Sequence, residues 1–279
     1  MCEKMPAFPA SVQQVISLTS DINSSPRELV RVIDHDPVLT MKILKVANSA
    51  YFGLSRKIVS INHAVVYLGL NTVKHVALAI AAIGSLPKEN DAQFDMEEFL
   101  EHSLTTAVVT RGLARLQGVQ EIEAANFFVA GLLHDIGKVV FAQFRPKKFH
   151  QALTRARDEQ QPLYLMEEEV IGHHHAEVGA FLCESWSFPP DLVNAIRCHH
   201  VPGTGRSGGK IRQCLFVGNL LAHKIKPANN GIPVAREEDL PPWVFRTFGN
   251  DFDAILSRMD RLNADLEQAT SLLAVEQDL

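Results

Sequence analysis

Helix-start signals followed by apolar residues at helical spacing recur along this chain, and they restrict what it can fold into. Ser25-Pro26-Arg27-Glu28 joins an N-cap serine, a proline at the first helical position and a capping-box glutamate. Asp36-Pro37 opens the next helix in the same manner. No Asn-Gly pair is flanked by alternating strand patterns, and no repeat of solenoid length occurs. An all-α fold is therefore predicted.

A polar segment at 88 to 94 separates two sets of predicted helices and is the expected domain boundary. Before it, helices are expected at 25–33, 36–47, 62–68 and 71–83. After it, they are expected at about 95–116, 122–144, 146–159, 162–170, 174–186, 190–200 and 209–225. The predicted division is an N-terminal helical subdomain at 1–92, a ligand-bearing helical domain at 93–226, and a linker with a C-terminal helix at 227–279.

The composition is that of a globular protein, since 46% of the 279 residues are hydrophobic and 21% are charged. The formal net charge of −5, with dispersed Lys and Arg, argues against a nucleic-acid partner. No run of apolar residues approaches the roughly 20 that are needed to cross a bilayer, and no signal-peptide pattern is present. No membrane partner and a cytoplasmic location are therefore expected. The four cysteines lack Cys-x-x-Cys spacing and are expected to be reduced thiols.

His134-Asp135 lies in an apolar stretch, 124–144, that is predicted to be one helix. Neighbouring helical side chains point about 100° apart, so this pair can hold a metal ion from two directions. Upstream, Glu98-x-x-x-His102 places an acid and an imidazole on one helical face. Glu98 also fits a capping box opened by Asp95, which is its alternative role.

Further histidines follow downstream, at His173-His174-His175 and at the doublet His199-His200. At most one or two of the first three can face a given point, so at least one is structural or exposed. Seven of the twelve histidines belong to this central part of the chain, which predicts a metal site. Neutral imidazole with carboxylate suits iron, manganese, zinc or nickel.

These motifs resemble the HD phosphohydrolase superfamily, particularly its HD-GYP branch. The resemblance is carried by Ala130–Lys138, His175–Gly179 and His199-His200. Four N-terminal segments are similar to the HDOD domain, the HD-related output domain of bacterial signalling proteins: Met5–Ala10, Asp36–Thr40, Lys45–Phe52 and Ile61–Gly69. The combined resemblance runs from about Met5 to about Lys224 and implies an N-terminal helical subdomain joined to an HD-superfamily-like helical bundle.

The resemblance also implies a set of metal ligands and two divalent ions bridged by Asp135, with iron or manganese favoured over zinc or nickel. The implied ligands are His102, His134, Asp135, His175, His199 and His200. Glu98 matches an additional acid of members that hold a third ion. The last ligand position, an aspartate in relatives, is Asn219 here.

Two departures from the active relatives bear on function. Asn219 can coordinate through its carbonyl oxygen but brings no negative charge. The doublet His199-His200 is followed by Val-Pro-Gly-Thr-Gly instead of an acid and a Gly-Tyr-Pro segment.

Two functions from different classes remain open. One is a bacterial signalling module whose metal centre is structural or senses a ligand, and whose output is contact with a signalling protein. The other is a metal-dependent phosphohydrolase acting on a nucleotide or another phosphoester, in which Asp135 and the nearby Lys138 would take part in catalysis. The alternative is that Lys138 is a solvated lysine on the helix surface. Homo-oligomerisation stays open in either case.

Two further segments have both a structural and a partner-binding interpretation. Asn48–Gly53 lies at a helix end, where Asn48 and Ser49 are expected to satisfy backbone groups and Phe52 to anchor the loop. Its alternative is a face for a signalling partner. A C-terminal apolar stripe is expected to pack on its own domain, with a partner or dimer helix as the alternative; it comprises Phe252, Ile255, Leu256, Met259, Leu262, Leu266, Ala269 and Leu273.

Overall fold

A computed structural model of the chain describes residues 14–15, 17–18, 25–48, 58–84, 90–203, 209–227 and 232–267. Within these residues every regular element is helical, which confirms the all-α fold class. The α-helices are α1 (Pro26–Asp34), α2 (Pro37–Asn48), α3 (Ile61–Leu68), α4 (Leu70–Gly84), α5 (Met96–Leu116), α6 (Glu121–Leu133), α7 (Ile136–Phe144), α8 (Pro146–Asp158), α9 (Leu163–Ile171), α10 (His175–Ser185), α11 (Pro190–Arg197), α12 (Gly209–Ile225), α13 (Pro242–Phe248) and α14 (Phe252–Ser257). A 3₁₀ turn occupies Glu237–Asp239, and residues 262–267 are also helical.

Side-chain caps begin the first helix of each half where the sequence predicts them. The Ser25 hydroxyl accepts from the Glu28 amide while the Glu28 carboxylate accepts from the Ser25 amide, which completes a capping box. The Asp95 carboxylate accepts from the amides of Glu97 and Glu98 at the start of α5. Both caps satisfy amides that have no partner inside the helix.

The predicted single helix at 122–144 is wrong, because the chain turns at His134 and Asp135. Asp135 has φ −100° and ψ 6°, in the bridge region outside the helical range, and α7 begins at the next residue. The turn lets α7 pack against α10 while α6 packs against α5. The predicted helix at 190–200 also ends early, at Arg197, so the His199-His200 doublet lies in the following turn.

The centre of the fold is α5, which packs against α6 and α12. A β-carbon on Gly131 of α6 would lie 2.5 Å from the Cα of Ala107, so only glycine permits this approach of α5 and α6. One hydrophobic cluster is continuous from α1 through α5, α6 and α12 to α14, and it includes Leu29, Ile61, Leu113, Leu215 and Phe252. The three-part domain division remains a prediction.

The segment predicted as a boundary is packed over its described residues, 90–94. Ala92 is fully buried in a second cluster with Phe141 and Phe149 under α7 and α8. The Asn90 side-chain oxygen accepts from the amides of Ala92 and Phe94. These local bonds fix the turn just before α5 begins.

The C-terminal apolar residues contact the main core over the part of the chain that is described. Trp243, Val244 and Phe248 of α13 are buried, and so are Phe252 and Ile255 of α14. Leu256, Met259, Leu262 and Leu266 pack against the same cluster while remaining partly exposed. Ala269 and Leu273 lie outside the described residues.

The stretch Glu123–Phe144 is long and apolar enough to cross a bilayer by length and composition. In this structure 83% of the most apolar 18-residue segment of this stretch is buried inside the protein. Burial of this kind is typical of the core helices of a bundle.

Asn48 ends α2 and bonds to backbone groups ten residues away. Its amide nitrogen donates to the carbonyls of Leu44 and Ile58, and its oxygen accepts from the amide of Ile58 at 2.6 Å. The side chain therefore ties the end of α2 to the segment that precedes α3. Ser49 and Phe52, which the same structural interpretation includes, lie outside the described residues.

Asn48→Ala is expected to lower the free energy of unfolding by about 1–3 kcal/mol, because it leaves partly buried amide and carbonyl groups without partners. Chemical denaturation of the full chain measures this loss. Asn48→Asp keeps an acceptor for the Ile58 amide, so its free energy of unfolding should lie between those of the wild type and Asn48→Ala. Unchanged stability of the alanine variant would contradict the structural role and favour a partner-binding face.

Candidate metal centre

The turn between α6 and α7 places a buried carboxylate where four other segments converge. Asp135, only 2% exposed, occupies this turn beside His134. His102 comes from the middle of α5, and His175 is the first residue of α10. The His199-His200 doublet follows α11, and Asn219 lies on α12.

Four imidazoles face the two oxygens of Asp135. On the Oδ1 side, Nε2 of His175 lies at 3.1 Å and Nε2 of His199 at 3.5 Å. On the Oδ2 side, Nε2 of His134 lies at 3.3 Å and Nε2 of His102 at 3.8 Å. The carboxylate thus has two histidines on each side.

The potential ligand atoms form two groups that share Asp135, each with its atoms within 4.8 Å of one another. The first group contains Asp135, His175, His199 and His200, and the second contains His102, His134 and Asp135. The His200 Nε2 atom lies 2.7 Å from that of His175, which is hydrogen-bonding distance. Each group could hold one divalent cation, with the Asp135 carboxylate shared between the two.

Hydrogen bonds at the far ring nitrogen determine which nitrogen of two histidines carries the proton. Nδ1 of His134 donates to the Gly131 carbonyl at 2.7 Å, and Nδ1 of His199 donates to the Ile196 carbonyl at 2.7 Å. Because a carbonyl oxygen can only accept, the proton of each neutral ring is on Nδ1. The lone pair is then on Nε2, the atom that faces Asp135.

Three buried acceptor atoms lie at the Asp135 carboxylate. Nε2 of His134, Nε2 of His199 and Oδ1 of Asp135 are buried and have no hydrogen-bond partner among the described residues. Converging lone pairs cost free energy unless a cation lies between them. The donor set of imidazole and carboxylate therefore fits a divalent transition metal.

The sequence analysis missed Glu167, a fully buried acid on α9. One oxygen of its carboxylate accepts both from Nδ1 of His175 at 2.5 Å and from the His175 backbone amide at 2.8 Å. A carboxylate on the far nitrogen orients a metal-binding imidazole and makes it more basic. Glu167 therefore positions His175.

Glu167→Gln is expected to weaken divalent metal binding by about 10–100-fold, because the charged partner of His175 is lost. Isothermal titration of the metal-free protein measures the change. Glu168→Gln, one residue away and exposed, is the matched control and should bind as the wild type does. Equal affinity in the Glu167 variant would show that His175 needs no such positioning.

The charges of the centre are set by burial and by neighbouring groups. Burial opposes ionisation of Asp135, but the neighbouring His134 ring and Lys138 ammonium outweigh it and hold the pKa of the carboxyl well below its ordinary value. Burial also opposes protonation of His175, yet the Glu167 carboxylate outweighs it and the pKa of His175 is raised. A bound metal ion would displace this ring proton.

Burial keeps four other imidazoles neutral. Burial lowers the pKa of His199 to about 3, and it lowers the pKa values of His102 and His200 well below the ordinary value. Burial, followed by the charge of Lys138, lowers the pKa of His223 to about 4. Neutral imidazole is the form that binds metal ions.

Lys138 and Asn219 both contact the centre. The Lys138 ammonium lies 2.5 Å from Oδ2 of Asp135, and its side chain is 17% exposed. The Asn219 side-chain oxygen lies 3.0 Å from Nε2 of His102, on the side of the second group. Asn219 therefore lies beside His102, another of the ligands that the resemblance implies.

Three of the residues singled out from sequence belong to neither group of ligand atoms. Glu98 is one helical turn before His102, is partly exposed, and belongs to neither group of converging ligand atoms. His173 is exposed and bonds to Glu177, as expected for at least one member of the histidine triplet. His174 is the N-cap of α10.

A helical bundle that gathers histidines around an aspartate at a helix junction defines an HD-type helical protein. The sequence matches the HDOD domain over residues 5–202, which is most of the chain. The chain belongs to the HDOD family.

Two solved structures have this fold over nearly the whole chain. A Shewanella amazonensis SB2B protein named "Putative phosphohydrolase" superposes with a TM-score of 0.72 at 23% identity, covering 97% of this chain and 96% of that one. An HDOD domain protein of unknown function from Geobacter sulfurreducens superposes with a TM-score of 0.70 at 27% identity, covering 96% and 92%. At its level of identity the Shewanella protein shows the fold alone.

A longer relative is similar to this chain over part of its length. An uncharacterised protein of Treponema pallidum (strain Nichols) is 26% identical over 198 residues, which make up 71% of this chain and 38% of that protein. The chain therefore spans well under two thirds of this curated relative.

Proposed function

We propose that this protein is a bacterial signalling module with a dinuclear divalent metal centre, which senses a phosphoester ligand and acts through contact with a partner protein. Iron or manganese is the favoured ion, with zinc or nickel as alternatives. The proposed ligands are His102, His134, Asp135, His175, His199, His200 and Asn219. Membership in the HDOD family supports the regulatory role.

The observation that carries the metal centre is the set of lone pairs directed at Asp135. Nδ1 of His134 and Nδ1 of His199 are each bonded to a backbone carbonyl, so both rings present a bare Nε2 to the carboxylate. A hydrogen-bonded polar core would instead pair donors with acceptors. This arrangement favours a cation between the rings and the carboxylate.

A phosphoester is the ligand class that the open edge of the centre fits. His102 and Lys138 are partly exposed, with side-chain exposures of 13% and 17%, whereas the Asp135 side chain is 3% exposed. A phosphate approaching this edge would meet the Lys138 ammonium beside the proposed ions. It would also supply negative charge to a centre with a single carboxylate facing it.

Two features favour sensing over turnover. The Lys138 ammonium is paired with Asp135, so a substrate phosphate has to compete with that ion pair. Asn219 supplies a neutral oxygen where active relatives have an acid, so one ion is held by less negative charge.

The second candidate function is a metal-dependent phosphohydrolase, which the retained group of six histidine and aspartate residues favours. Two bound ions would supply an activated water and stabilise charge on a phosphoryl oxygen. Lys138 would then bind the phosphate, and Asp135 would be the ligand that both ions share.

A turnover screen separates the two functions. The full chain is loaded with Fe²⁺ or Mn²⁺, its metal content is measured, and it is offered cyclic dinucleotides, nucleotides and a chromogenic phosphodiester. If the metal-loaded wild type shows no more turnover than Asp135→Ala, the result agrees with the sensing role. Turnover that Asp135→Ala abolishes would replace it with the phosphohydrolase.

The regulatory output is tested by partner capture with and without a chelator. We expect the set of captured proteins to change when the metal is removed, because the proposed output depends on the loaded centre. Capture that ignores both chelator and Asp135→Ala would rule out metal-dependent sensing.

A further inference from the structure

The second group of ligand atoms is incomplete as the sequence motifs describe it. On this side of Asp135 the imidazoles are those of His102 and His134, and the third contact is the neutral oxygen of Asn219. The first group has three imidazoles with the same carboxylate. Imidazole-bound divalent ions generally take at least four protein or solvent ligands.

His223 lies beside this second group and belongs to no motif of the family resemblance. It follows Asn219 by four residues on α12, so the two side chains share one face of the helix. Its ring centroid is 4.3 Å from that of His102, with the ring planes 33° apart. The rings of His199 and His200, which share the first group, have a similar separation of 4.0 Å.

One nitrogen of His223 is left unsatisfied by the protein. Its Nδ1 is buried and has no hydrogen-bond partner among the described residues. A buried polar atom without a partner costs roughly 1–3 kcal/mol, which a structural histidine in a helix would avoid by bonding to a carbonyl. A metal ion on the His102 side of Asp135 would remove this cost.

We propose that His223 is a ligand of the second metal position and compensates there for the aspartate that Asn219 replaces. The inference rests on the proposed metal centre. Each position then has three imidazoles and a share of Asp135: His175, His199 and His200 on one side, and His102, His134 and His223 on the other.

The donor set has a consequence for metal choice. Three imidazoles on each side suit iron, zinc, cobalt or nickel, whereas manganese and magnesium prefer oxygen ligands. The second position should therefore discriminate against Mn²⁺ more strongly than a position completed by an aspartate would. Of the two ions favoured above, iron and manganese, the donor set therefore selects iron.

Cobalt titration of the metal-free full chain tests the inference. Co²⁺ is the probe, bound metal is counted by elemental analysis after gel filtration, and ligand-field absorption reports the donors. We expect about two ions in the wild type and about one in His223→Ala, with the first-position ligands intact. His223→Asp, which restores a donor of another kind, should recover the second ion. His173→Ala, an exposed histidine, is the matched control.

The outcomes separate this inference from the proposed function. Two ions retained by His223→Ala, or a wild type that holds one, would overturn the role of His223 while leaving a metal centre in place. A wild type that holds none would overturn the proposed centre itself. Circular dichroism and thermal melting of each variant confirm that the fold survives, and recovery by His223→Asp excludes a loss of ions through unfolding.

Discussion

Asp135→Ala is expected to abolish binding of both metal ions, with an affinity loss of more than about 100-fold at each position. The carboxylate lies within 3.8 Å of Nε2 of four histidines and is the proposed bridge between the ions. Its removal takes the shared ligand and its negative charge from both positions at once, a larger change than losing an outer partner of one ligand. Elemental analysis after loading and gel filtration measures the result.

A thermal melt gives the second measurement on the same variant. A ligand at 100 times its dissociation constant stabilises the folded state by about 2.7 kcal/mol, so added metal should raise the Tm of the wild type by several degrees. The same metal should leave the Tm of Asp135→Ala unchanged. Asp135→Asn, which keeps an oxygen of similar size but no charge, should fall between them. An alanine variant that still gains stability from metal would place the ions elsewhere.

Gly137→Ala is expected to lower the free energy of unfolding by about 3 kcal/mol and to weaken metal binding by at least about tenfold. A β-carbon on Gly137 would lie 2.0 Å from the carbonyl oxygen of His175 and 2.9 Å from its Cα. These are backbone atoms at the start of α10, so α7 and α10 must move apart to admit the methyl group. Asp135 and His175, now 3.1 Å apart at their nearest atoms, would separate with them.

Gly112→Ala is the matched control for this substitution. Gly112 also lies inside a helix, but a β-carbon there would meet the Met259 side chain, with its sulfur at 2.9 Å. A flexible methionine can move, and alanine gains up to about 1 kcal/mol of helix propensity over glycine, so we expect stability within about 1 kcal/mol of the wild type. Equal stability in the two variants would contradict the close helix contact proposed to build the centre.

Local signals made much of the fold predictable from sequence. Ser25 and Asp95 announce helix starts because a cap depends on residues within one turn of it. The all-α class follows from many such segments in succession. The candidate ligands were also recognisable, because histidines and acids stand out against an apolar helix and match a family pattern.

Contacts between distant segments explain what the sequence did not reveal. The apolar pattern continues on both sides of His134 and Asp135, so periodicity alone predicts one helix. The chain turns there, and the turn accompanies the close packing of Gly137 against His175 of another helix. Periodicity carries no information about that distant contact. Glu167 is the first of three consecutive glutamates, and only the path from α9 into α10 distinguishes it.

His223 is different, because a local signal was present. Asn219-x-x-x-His223 has the same spacing as Glu98-x-x-x-His102. The family pattern drew attention to the asparagine alone, and an imidazole one turn later was outside it. A search for any ligand on the same helical face would have found it.

Anomalous diffraction from a crystal of the metal-loaded protein, collected at the absorption edge of the bound ion, tests the central claim most directly. The account predicts two peaks flanking the Asp135 carboxylate, each about 2.0–2.2 Å from one of its oxygens and from the Nε2 atoms that face that oxygen, those of His175 and His199 on one side and those of His102 and His134 on the other. A map without peaks at this position, in a protein whose rings face Asp135 as described, would contradict it.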